Sequence, residues 1–100
     1  MTTMIHATQN GKSATSDAAS ANTTLPVEAD GLTRLCRVTV SGRCYIKFGV
    51  AGVTVAASDG ILMVPQQSEV FAVTGVTHIA YIDGPDAGVV INLVPVSSVR

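Results

Sequence analysis

The sequence predicts a small all-β domain, a β-sandwich of jelly-roll or immunoglobulin-like type, with an extended N-terminal arm. Three observations predict it. Past Leu32 the chain divides into short runs in which apolar and polar side chains alternate. Gly, Pro, Asp and Ser signals separate these runs at roughly eight- to twelve-residue intervals, the spacing of a sandwich or small barrel. No stretch carries a helical period that demands more than a turn or two.

The arm is residues 1–30 and the sandwich residues 31–100. The first 24 residues are mostly Thr, Ala and Ser with Asn, Gln and Gly, and show neither helical nor alternating periodicity. Such a segment buries too little apolar surface to offset its ordering entropy, so by itself it should be a flexible arm. "SDAASA" offers a short helix capped by Ser16 or Asp17, of marginal length.

In the sandwich, "RLCRVTV" sets Cys36, Val38 and Val40 against Arg37 and Thr39. "RCYIKFGV" sets Cys44, Ile46, Phe48 and Val50 against Arg43, Tyr45 and Lys47. If the two form a hairpin, one shared apolar face requires Val40 opposite Cys44, with Ser41, Gly42 and Arg43 as the turn. That register also puts Arg37 and Lys47 together on the outer face. "VTVAA", "ILMV" up to Pro65, "EVFAVT" and "THIAYI" read as further strands, for six or seven in all. "DGPDAG" is a strong loop signal. The near-continuous apolar run "VVINLVPV" suggests a strand buried on both faces, by a second sheet and by another chain.

Composition narrows the function. Apolar residues make up 47% of the 100-residue chain, only four residues are aromatic, and Trp is absent. A core of Val, Ile, Leu and Ala in so short a chain is thin, which favours stabilisation by self-association or by docking on a partner. The net charge of −1 supplies no basic field to recruit nucleic acid. Arg34, Arg37, Arg43 and Lys47 form a local basic cluster, while Phe48 to Val99 contains acidic residues and no Lys or Arg. This reads either as a solvated strand face or as a surface polarised for head-to-tail contacts. Arg37, Arg43 and Lys47 with Tyr45 could make a basic strand face for nucleic acid, but one aromatic and three cations are few.

No convergent chemistry is visible. Asp59, Asp83 and Asp86 sit in Gly-rich turns, where Asp bonds the local backbone. Asp83 and Asp86 lack the regular alternation of a calcium loop. His78 lies inside a strand, no nucleophile elbow or phosphate-binding glycine loop occurs, and His6 and His78 belong to no Cys/His cluster. Cys36 and Cys44, several residues apart along the expected hairpin, are too distant for a disulfide and read as small buried residues in a reducing compartment. Neither a signal peptide nor an apolar run of membrane-spanning length is expected. The "NTT" at Asn22 is a coincidental match to a glycosylation sequon. No enzyme activity, cofactor, metal, nucleic acid or membrane is expected.

Four motifs recur in a fixed order: "CYIKFG", the segment of Pro65, Glu69, Phe71 and Val73, the run Gly75, Val76, Thr77 and His78 that opens "GVTHIA", and a closing "AGVVINLVPV". In that order, over about residues 32–97, the chain resembles small tailed-bacteriophage virion proteins. The resemblance implies a structural protein assembled in the host cytoplasm into the virion. As a capsid decoration (cement) protein it would bind the major capsid protein or other virion subunits, as a homo-oligomer, dimer or trimer, and strap its N-terminal arm onto neighbouring subunits. The alternatives are a head–tail junction or tail accessory protein, or a carbohydrate-binding adhesion module using Tyr45 and Tyr81. The long polar arm, the two cysteines and the compact first hairpin depart from the family pattern.

Overall fold

Alternation decides which side chains meet in the core. Cys36, Val38, Val40, Cys44 and Ile46 are buried, while the residues between them face outward. The structure, a computed structural model, describes residues 4–7, 11–26 and 35–99, with backbone alone for 4–7 and 97–99. The expected boundary at residues 30 and 31 lies outside the described residues, as do Arg34 and the side chain of His6.

The described strands are β1 (Met4–Ala7), β2 (Lys12–Thr15), β3 (Ala21–Thr24), β4 (Leu35–Val40), β5 (Cys44–Gly49), β6 (Ile61–Met63), β7 (Glu69–Ala72), β8 (His78–Asp83) and β9 (Val90–Val99). They form two antiparallel sheets. Sheet I runs β1-β9-β4-β7, with β2 also on β9, and sheet II runs β3-β8-β5-β6. From β2 to β5 the chain changes sheet at every connection. It does so again between β6 and β7, β7 and β8, and β8 and β9. This interleaving is the strand order of a jelly roll, two nested Greek keys closed into a sandwich. The core between the sheets is Val, Ile, Leu and Met with both cysteines, and Phe48 meets Phe71 at a ring-centroid distance of 5.0 Å.

Three expectations about elements change. First, β4 and β5 are not a hairpin. β4 pairs with β7 and β9, and β5 with β6 and β8, so Ser41-Gly42-Arg43 carries the chain from one sheet to the other. An arch between facing sheets and a hairpin both bring the two apolar sets into one core, so alternation does not separate them. Arg37 and Lys47 therefore lie on different sheets.

Second, "VTVAA" forms no strand; its residues belong to a loop, 50–60, that lies on the outer face of sheet II. Gly49 and Gly60 show why. A Cβ on Gly49 would stand 2.7 Å from Val53 Cγ2, and one on Gly60 would stand 2.7 Å from Val55 Cγ2 and 2.8 Å from Tyr45 Cβ. Both glycines let the loop come down onto the sheet, and Ala80 on that face retains no exposed surface. Val55 is itself buried.

Third, residues 11–26 contain strands. β2 pairs with Val90–Leu93 of β9, and β3 with His78–Tyr81 of β8, and both are outermost in their sheets. Ser16 to Ser20, within the stretch that offers a marginal helix, is an irregular crossover. The partner residues sum to 103 along β1–β9 (Met4 and Val99) and to 105 along β2–β9 (Lys12 and Leu93), so two additional residues separate the two ladders. At β9, burial on both faces is not seen throughout: Ile91 and Leu93 are fully buried, but Val90 is 45% exposed.

Candidate functional site

The residues with chemical potential fall into separate places. The densest polar cluster caps one end of the sandwich, where the connections 16–20, 41–43 and 84–89 meet. There the Asp83 carboxylate accepts from Ser16 Oγ and, at 3.1 Å, from Gly88 N, while Asp83 N donates to Asp17 O at 2.9 Å. Ser16 is a buried polar residue, and its hydroxyl oxygen also accepts from Val89 N at 2.9 Å. Asp86 Oδ2 accepts from Arg43 N at 2.7 Å and from Arg43 Nε at 3.2 Å. The Arg43 guanidinium, and then its backbone amide, hold the Asp86 carboxyl below its usual range. Every one of these groups serves a neighbouring loop, so the cluster splices three connections together. Among the described residues no group of three or more His, Cys, Asp or Glu is arranged to hold a metal.

The expected basic face is dispersed. Arg37 is exposed on the outer face of sheet I, beside Val70 and Val94 in register. Arg43 is committed to Asp86 at the loop end. Lys47 lies on sheet II, where Nζ meets Asp59 Oδ2 at 3.0 Å. Asp59 Oδ1 also accepts from Ala56 N, and that backbone bond, followed by Lys47, lowers its carboxyl below the ordinary range. Thus Asp59 fixes the turn that ends the loop over sheet II.

His78 and Asp83 occupy opposite ends of one six-residue strand, about 17 Å apart at the usual rise. His78 Nδ1 instead meets Thr77 Oγ1 at 2.7 Å. Of the two tyrosines considered for sugar stacking, Tyr81 belongs to the core and Tyr45 is half-buried beside Val55 and Gly60. Cys36 and Cys44 are free and buried, and burial pushes each thiol up to about 11. Their thiolates are accordingly scarce near neutrality.

What remains accessible is surface. On sheet I the outer face presents Ser13, Thr15, Arg37, Val70, Ala72 and Val90, with Val70 41% and Val90 45% exposed. Exposed Ile61 and Leu62 belong to β6, the edge strand of sheet II, and are a separate apolar edge. Sequence alternation marks Arg37 as outward-facing, whereas the near-continuous apolar run of β9 hides the outward turn of Val90. Alternation does not distinguish sheet I, whose outward face is open, from sheet II, whose outward face is roofed by residues 50–60.

No family model matches the chain, and no curated protein matches it. Among solved structures, a chain from work titled "Bacillus endospore appendages form a novel family of disulfide-linked pili" aligns at TM-score 0.46 and 16% identity, covering 94% of this chain and 88% of that one. A likeness of that size carries no argument about function. What is established is a small all-β sandwich.

Proposed function

We propose that the chain is a structural subunit of a tailed-phage particle, a decoration (cement) protein that docks on the capsid and stabilises it. The observation that carries the reading is the ordered set of motifs through Pro65, Glu69, Phe71, Val73 and Gly75–His78, set in a sandwich with one broad open sheet face. Jelly rolls serve as capsid and lectin modules among other roles, so the fold supports the reading by analogy only. Docking needs no catalytic group. It needs a rigid face whose many weak copies add together on a lattice.

The test is quantitative mass spectrometry on purified particles of a phage that encodes the chain, joined to a stripping and add-back assay. The expected result is a copy number that scales with the capsid protein, with stripped shells losing heat resistance that the added protein restores. A small fixed copy number confined to the neck or tail would move the assignment to the head–tail alternative. Absence from particles would overturn it.

A further inference from the structure

The two sheets share one feature at the same side of the sandwich: both outermost strands there, β2 and β3, come from a single continuous segment, residues 11–26. The segment is braced on itself, since Lys12 Nζ on β2 donates to Thr24 O at 3.0 Å and also meets Thr24 Oγ1 at 2.7 Å on β3. It forms a bracket that clips two sheet edges at once.

Its grip on the body is mainly polar. Of the thirteen buried residues that make the continuous core among the described residues, Leu25 is the single one that precedes residue 35, and Ala14 and Ala21 pack against that core only in part. The rest of the attachment is two strand ladders and hydrogen bonds such as Ser16 N to Val89 O, Leu25 N to Thr77 O and Val55 N to Ser20 Oγ. Each such bond contributes on the order of 1 kcal/mol net, because water satisfies the same groups when the segment leaves. The exposed edges of β8 and β9 fare worse, since open ladder groups seek another strand.

We propose that these edges also accept residues 11–26 of a second copy of this chain, so that neighbouring copies exchange brackets. This deepens the decoration reading by naming the neighbour that the arm straps. The occupant is identified by complementarity already present: the register Lys12–Thr15 on Leu93–Val90 and Ala21–Thr24 on Tyr81–His78 is the same whichever copy supplies the strands. Because the crossing lies after Pro26, β1 travels with the bracket and keeps its ladder on β9, so exchange of the identical element preserves the ladders and changes only the connection. That connection is long enough. Pro26 and Leu35 are joined by eight residues, a length of chain that can span at most about 30 Å. The molecule measures 41 × 28 × 22 Å, so this reach exceeds its two shorter dimensions. On a lattice, where neighbours are held close, effective concentration favours the exchanged form.

The experiment uses the full chain and the pair Ser13 and Asn92, which face each other across β2 and β9. Ser16 N donates to Val89 O, so alternation of the antiparallel ladder makes 13/92 a non-hydrogen-bonded pair, the close kind that a disulfide can span. Ser13→Cys chains and Asn92→Cys chains are mixed, equilibrated at high concentration and oxidised. The expected result is a mixed-disulfide heterodimer at least about tenfold above that formed when Gln67→Cys replaces Asn92→Cys. A Ser13→Cys/Asn92→Cys double variant that closes entirely within single chains, with no excess heterodimer in the mixture, overturns the proposal. If a variant loses its fold, isotope-filtered NOEs between residues 13 and 92 in a mixture of labelled and unlabelled unsubstituted chains read the same contact. Intermolecular NOEs support exchange, and purely intramolecular ones overturn it. A chain that keeps its own bracket yet decorates shells removes exchange and leaves decoration standing; exchange in a chain absent from particles does the reverse.

Discussion

The two outer faces of the sandwich are built from the same kind of strand and end in opposite conditions. On sheet II, residues 50–60 lie across the face, bury Val55 and leave Ala80 without exposed surface. On sheet I, Val70, Val90 and Arg37 stay in contact with water. Two glycines decide the difference, because Gly49 and Gly60 are where the loop touches down. A sandwich with a thin core thereby gains a third layer on one side, and keeps the other side available for contact with another molecule.

The comparison breaks most severely at Gly60. Gly60→Val places atoms against Tyr45 Cβ, Val55 Cγ2 and, at 3.1 Å from the new Cβ, Ala56 O. Since backbone and a packed side chain must both yield, the expected loss is about 3 kcal/mol, read as a lower urea midpoint at unchanged m-value. A normal midpoint would mean that the loop is not seated on the sheet.

A paired truncation sharpens the comparison with a smaller effect. Val55→Ala should cost about 1.5 kcal/mol, the loss of roughly two buried methylene equivalents. Val90→Ala, on the open face, should stay within about 0.5 kcal/mol. Thermal melts of the two variants check this, and equal losses would mean that the two faces are equally covered.

The smallest effect is acidic. Asp59 and Asp86 both have carboxyls lowered in the folded chain, so each binds its proton more weakly than in the unfolded chain. Their contribution is complete above the ordinary carboxylate value near 4 and is lost as pH falls through their lower folded values. Both ion pairs are well exposed, with side-chain exposures between 41% and 50%, so the loss should be slight and blunted by salt. Denaturant titrations from pH 6 down to pH 2, at low and high ionic strength, measure it. Asp59→Asn should remove the part of the acid dependence that belongs to the roofed face and leave the Asp86 part.

Much of the body was legible in the sequence because period-two alternation states which side chain points inward. The pattern points Cys36, Val38, Val40, Cys44 and Ile46 inward, where they are buried, and it locates the segments around β4 to β9. It points Phe48 and Val50 the same way, yet Phe48 is only partly buried and Val50, where the chain leaves β5 for the loop, is 62% exposed. Pairing was not legible. A crossing between sheets and a hairpin present the same alternation, so the apolar register that selected a three-residue turn at 41–43 is equally satisfied by an arch. The loop 50–60 misled for a related reason: Val53, Thr54 and Val55 carry strand propensity and use it to lie flat on a sheet without joining a ladder. In the N-terminal segment the signal was hidden by small side chains. Ala14, Ala21 and Thr23 meet the core side only in part, so edge pairing by backbone leaves almost no hydrophobic trace. The dispersal of Arg37, Arg43 and Lys47 follows directly from the missed pairing.

The place of β9 has a consequence for how the protein is made. In sheet I it lies between β2 and β4, which never touch each other within that sheet's order, yet it is the last of the nine strands to be synthesised. Until β9 has cleared the ribosome, β1, β2 and β4 lack the neighbour they share, and the ladder groups they turn toward it stay open. Translation that stalls before Val90 therefore leaves sheet II and the β4–β7 pair with their partners present, while β1, β2 and the second edge of β4 have none.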